Sequence, residues 1–224
     1  MADKKKYPAI LLIGPSGSGK TPLGDILQKK GSGGLAEACC CHFDFGAQLR
    51  QVAEAKTKPA CLTAKEVAAV RRSLQSGVLL TDEQFPIAEK ILRGFIADCP
   101  ISQRDVIVLN GLPRHIGQAK AMATIVEIRL LVYLKCSLET ARARIESNVG
   151  GDRTWRIDDA PERVAKRIQS FSQHTTRLLE YYQRLHTPII SLPVENGTTP
   201  LGMRQMLSRQ LIRLALNLTT AKAS

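Results

Sequence analysis

The 224-residue chain sets 32 Lys and Arg against 20 Asp and Glu, a formal charge of +12, and is 44% hydrophobic but only 4% aromatic. This length supports one substantial core over residues 1–224, and the cationic excess suits partners that bring phosphate charge. So few aromatics argue against base stacking on nucleic acid, and no apolar run approaches the roughly 20 residues of a membrane span, so neither partner is expected.

Residues 8–13 form an apolar run followed by Gly14-Pro15-Ser16-Gly17-Ser18-Gly19-Lys20-Thr21 and a helical pattern at 23–28. A strand, a glycine-rich turn and a helix in this order make a phosphate-binding loop. Backbone amides around Gly17, Ser18 and Gly19 cradle the anion, Lys20 reaches the outer phosphates, and the Thr21 hydroxyl is a ligand for Mg²⁺. ATP with Mg²⁺ is therefore the expected co-substrate.

Further short apolar runs follow at 39–43, 106–109, 130–134 and 189–192. With residues 9–13 they read as five buried strands separated by helical patterns, which predicts an α/β fold: a five-stranded parallel sheet with helices on both faces. Residues 46–104 form an insertion of helical pattern, at 64–74 and 84–96, placed to act as a lid or substrate subdomain. Irregular residues 147–158 hold Gly150, Gly151, two arginines and Trp155, which reads as a packing anchor. Pro161 opens another helix behind two acids, and residues 201–218 close the chain as an amphipathic helix expected to dock on the sheet. Gly77, Gly150 and Gly151 are the expected hinges.

Six cysteines, at 39, 40, 41, 61, 99 and 136, show neither a C-x-x-C pair nor zinc spacing. The three adjacent ones, which lead into an apolar run, read as small buried residues of a cytoplasmic protein.

Phosphoryl transfer depends on in-line positioning and positive charge, so arginines are sought around the loop. Asn110-Gly111-Leu112-Pro113-Arg114 stands at the C-terminal end of the third strand, where open parallel sheets hold ligands, and Gln118 follows four residues later. Asp44, ending the second strand, has two readings: an acid that holds metal or orients a hydroxyl, or a helix cap. Asp105 is a second candidate for the metal's partner. His42 reads as a packing residue.

These segments resemble the adenylate kinases and their nucleoside monophosphate kinase relatives, of the P-loop NTPase fold and short-lid type. The resemblance is carried by residues 14–21, by His42, Gly46 and Arg50, by residues 77–83, by 110–114 with Gln118, by Arg156-Ile157-Asp158-Asp159 with Arg167, and by 194–200. It implies a monophosphate-binding insert at 45–81, a short lid at 147–158, and transfer of the ATP γ-phosphoryl group to a nucleoside monophosphate, AMP foremost, by a monomer. On this resemblance Lys20, Arg114, Arg156 and Arg167 are catalytic. Gly17, Ser18, Gly19, Lys20, Thr21, Arg144 and Thr198 take ATP, with Thr21 on Mg²⁺. Phe45, Arg50, Val78, Leu79, Leu80, Gly111, Arg114 and Gln118 take the monophosphate.

The chain departs from the family pattern at several places. Asn110 replaces an aspartate, Phe45 and Ala47 replace a threonine and an aspartate, Asn148 replaces a lid arginine near Arg153, and Thr21-Pro22 replaces glycine-threonine. Two other readings stay open: a kinase of a small hydroxylated metabolite with Asp44 as base, and a nucleotide-binding module of weak catalysis.

Overall fold

The computed structural model describes residues 6–29, 40–55, 61–78, 80–99, 105–152 and 161–220. Five strands, β1 (Tyr7–Ile13), β2 (Cys40–Asp44), β3 (Val106–Asn110), β4 (Val126–Lys135) and β5 (Ile189–Pro193), form one parallel sheet in the order β2-β3-β1-β4-β5. The helices are α1 (Lys20–Gln28), α2 (Phe45–Glu54), α3 (Ala64–Ser76), α4 (Phe85–Asp98), α5 (Ile116–Met122), α6 (Leu138–Glu146), α7 (Pro161–Arg184) and α8 (Pro200–Thr220). The expected α/β sheet is thus present. β4 begins four residues before its apolar run, because Val126, Glu127 and Ile128 pair with Tyr7, Pro8 and Ala9 of β1 although exposed Glu127 and Arg129 interrupt the pattern, Arg129 standing at a register shift. Cys39 and residues 153–158 of the expected lid lie outside the described residues.

Alternation of side chains along the strands divides the interior in two. Ala9, Leu11, Ile107, Leu109 and Leu131 face one apolar cluster, while Ile10, Leu12, Val108, Leu130 and Val132 face the other. Helices α2 to α5 and α7 cover the first face. On the second, α1 and α8 pack together, with Leu23, Leu27, Met203 and Leu207 buried against Ile190 and Leu192. The terminal helix therefore docks where expected, wedged beside β5.

Helix α3 is fixed at both ends. The Thr63 hydroxyl and the Glu66 carboxylate form a reciprocal capping box, and Gly77 closes the helix in the left-handed conformation at φ 70°. Lys90 and the cap's hydrogen bonds together hold the Glu66 carboxyl down at about 2. This anchored insert is no detached subdomain: Leu49, Val52, Val67 and Val70 share one cluster with Phe43, Ile107 and Leu109 of the sheet.

Gly24, inside α1, marks where the first helix meets β2. An added Cβ there would collide with the ring of His42, which is itself 8% exposed and held by Asp25 Oδ1 at 2.8 Å from Nδ1. Overpacking of this kind costs about 1–3 kcal/mol. Gly24→Ala is therefore expected to lower unfolding free energy by that amount in urea titrations, an outcome opposite to the gain that alanine gives in an open helix. His42 thus packs, as its position at the end of an apolar run implied.

Candidate active site at the phosphate loop

The chain turns out of β1 at Gly14 and enters α1 at Lys20 through two left-handed glycines, Gly17 at φ 95° and Gly19 at φ 93°. Gly17 is obligatory twice over, since a Cβ would strike the Ala141 carbonyl. α1 has no side-chain cap and no acid in its first turn. Its leading N–H groups, the positive end of the helix, are left for an anion. Pro22 falls in that first turn, where a missing N–H breaks no helical hydrogen bond. Lys20 Nζ donates to the carbonyls of Gly14 and Pro15, at 2.7 and 2.8 Å, and so stands across the mouth of the loop.

A polar junction forms where the strand ends meet this loop. Asp44 and Asn110 are register partners on β2 and β3. Asp44 Oδ2 accepts from the Thr21 hydroxyl, and the Asn110 amide donates to Thr21 Oγ1 at 3.0 Å and to Asp44 Oδ2 at 2.9 Å. Asp44 Oδ1 accepts from Ala47 N at 2.9 Å and caps α2. The cap reading of Asp44 thus holds for Oδ1, while Oδ2 faces Thr21 and Asn110. Asp105 precedes the first residue of β3, five residues from Asn110, and at ~3.3 Å per residue lies roughly 16 Å from the loop, which removes it as a metal partner.

A cavity runs from the loop to the insert. Lys20, Arg50, Arg114, Arg144, Arg163 and Arg167 supply its cationic lining, and Leu49, Leu74, Val78, Phe171 and Leu178 an apolar one. Arg163, Phe171 and Leu178 were missed in the sequence. They sit on α7 at intervals of about two helical turns, a periodicity that reads equally as ordinary core.

Several expected residues stand elsewhere. Phe45 is 3% exposed and stacks on Phe43 with ring centroids 6.0 Å apart, and Leu80 is buried in the same cluster, because apolar side chains beside the sheet are drawn into it. Gln118 is 1% exposed: its carbonyl oxygen accepts from Arg114 N at 2.9 Å and its amide donates to Leu80 O at 3.4 Å, so it ties two loops together instead of facing a base. Ser18 is fully buried, its N–H on the Pro15 carbonyl, and the Thr198 hydroxyl accepts from Glu195 N at 2.9 Å; both shape loops rather than line the cavity. Gly17, Gly19, Lys20, Thr21, Arg50, Val78, Gly111, Arg114, Arg144 and Arg167 do line it. Leu79, Arg153, Trp155 and Arg156 lie outside the described residues.

Arg144, 2% exposed, braces the site. Nε donates to Gly17 O at 3.1 Å, and Nη1 to the carbonyls of Glu195, Asn196 and Thr198 at 2.7, 3.1 and 2.9 Å. Burial lowers its pKa, with Cys136 and Asp152 opposing, yet a guanidinium remains charged at neutral pH. Burial pushes the nearby Cys136 thiol up despite Arg144 and Lys20, which argues against a thiolate nucleophile. Asn148 takes φ 47° just after α6, a left-handed turn that asparagine tolerates, so backbone geometry accounts for it.

The oxygen donors of Thr21 and Asp44 suit Mg²⁺, which is commonly held by one or two protein oxygens together with substrate phosphates. Among the described residues no cluster of three His, Cys, Asp or Glu forms a metal site, the five cysteines are free, and no helix is long and apolar enough to cross a membrane.

No protein-family model matches the chain. It is similar to the adenylate kinase of Bartonella tribocorum, 28% identical over 185 residues that make up 77% of this chain and 85% of the relative. The adenylate kinase of Nitrobacter hamburgensis is 28% identical over 205 residues, 84% of this chain and 88% of its own. That of Xanthomonas oryzae pv. oryzae is 29% identical over 187 residues, 78% and 85%. By the share of the chain that these similarities cover and by its five-stranded parallel sheet, the chain is similar to the adenylate kinases.

Proposed function

We propose that the protein transfers the γ-phosphoryl group of ATP to a nucleoside monophosphate, with AMP the first acceptor to try. One observation carries this reading: one cavity is lined both by the phosphate loop, with Lys20 and Thr21, and by Arg50 and Arg114. Such a cavity suits a donor and an acceptor phosphate in one line, and guanidinium groups match phosphate oxygens in paired hydrogen bonds. The relatives named adenylate kinase support a nucleotide kinase, and AMP enters by that analogy. The cavity's apolar lining of Leu49, Leu74, Val78, Phe171 and Leu178 favours a flat base over a polyol, which weighs against a small hydroxylated metabolite.

In this reading Lys20 and the first N–H groups of α1 hold the donor's β and γ oxygens, and Arg50 and Arg114 hold the acceptor phosphate. Arg167 with Arg156 draws charge from the transferring group. Mg²⁺, bound with ATP through Thr21, supplies charge neutralisation between the donor phosphates. Insert 45–81 and lid 147–158 are proposed to exclude water around the donor. Action as a cytoplasmic monomer belongs to the same proposal.

The test is ATP-dependent diphosphate formation with AMP, GMP, CMP, UMP and dTMP in turn. Turnover with at least one acceptor, lost in Lys20→Ala prepared alongside, is expected. Bound ATP without turnover on any acceptor would favour instead a nucleotide-binding module of weak catalysis.

A further inference from the structure

We propose that Asp44, at the end of β2, is the carboxylate that organises Mg²⁺ at the phosphate loop, in place of an acid that β3 lacks at Asn110. The inference rests on the kinase reading and names a residue for its metal. Of the cavity's two carboxylates among the described residues, Asp152 belongs to the Arg144 side, whereas Asp44 is hydrogen-bonded to the Thr21 hydroxyl itself. In P-loop proteins the cation sits between that loop hydroxyl and a strand-end aspartate. Here the two oxygens are already in contact.

Asn110 completes the arrangement as a donor. A neutral amide adds no charge, but its two bonds, to Thr21 Oγ1 and to Asp44 Oδ2, turn the carboxylate oxygen toward the loop. The parallel register puts the residues side by side, so a charge on either strand end reaches the same place. Asp44 can do this while capping α2, because Oδ1 takes the cap and Oδ2 the junction. Supporting groups of this kind typically change metal affinity by about 10- to 100-fold.

Asn is as good a helix cap as Asp and has the same shape, so Asp44→Asn removes the charge and leaves the cap. The experiment titrates Mn²⁺ into the ADP complex and reads free Mn²⁺ by electron paramagnetic resonance, with thermal melting of each variant as a check on folding. Mn²⁺ affinity is expected to fall about 10-fold or more in Asp44→Asn and to recover in the double variant Asp44→Asn, Asn110→Asp. Unchanged affinity in Asp44→Asn, or a loss that the transposed acid does not restore, overturns the assignment. The acceptor screen stands apart: Asp44-dependent Mn²⁺ binding without turnover on any monophosphate would sink the kinase reading and keep the metal residue.

Discussion

Lys20→Ala is expected to reduce kcat/KM for phosphoryl transfer by at least about 10²-fold, the loss that follows removal of one preorganised donor from a transition state. The ammonium is the first helical residue after Gly19, held by the Gly14 and Pro15 carbonyls. A donor phosphate arriving at the loop finds that charge in position, with little to reorganise. The variant should remain folded, because the loop's glycines and the bond from Ser18 N to Pro15 O stay in place when the lysine's two bonds to Gly14 and Pro15 are lost. A coupled assay at saturating acceptor, with melting curves for both proteins, checks both halves of the expectation. Full activity in a folded variant would remove the loop from the chemistry.

Arg144→Met is the second large effect, and it falls on stability. Methionine fills much of the same volume but offers no hydrogen to the carbonyls of Gly17, Glu195, Asn196 and Thr198. Hydrogen bonds from a charged donor are worth about 1.5–3 kcal/mol each, and partial rehydration of the exposed 195–198 loop will offset part of the sum. A net loss of about 3 kcal/mol is expected, read by urea unfolding. ATP binding should weaken as well, since the brace joins the phosphate loop to the loop after β5. A variant as stable as the parent would mean that the carbonyls find water without cost.

Much of this was legible in the chain. The five apolar runs and the loop at residues 14–21 specify the sheet and its donor end because burial on both faces leaves strands little room for polar interruptions. β4 escaped in its first half because Glu127 and Arg129 interrupt the run, although the backbone pairs regardless. The acceptor end was harder. Phe45, Leu80 and Gln118 occupy motif positions, but a motif fixes only order along the chain, and burial under the sheet decided where those side chains point. Conversely, Arg163, Phe171 and Leu178 belong to no short motif; only the packing of α7 against the sheet brings them to the cavity's lining.

The pairing of Asp44 with Asn110 bears on how such chains are compared. Residues adjacent across a parallel sheet are interchangeable hosts for a function that depends on place rather than on chain position, yet they are 66 residues apart in sequence. A column-by-column alignment scores Asn110 as a deletion of the acid and Asp44 as an unrelated substitution. Aligned by sheet register, Asp44 and Asn110 fall at one place, and an inventory of active centres taken strand end by strand end would count this chain among those with a carboxylate beside the loop.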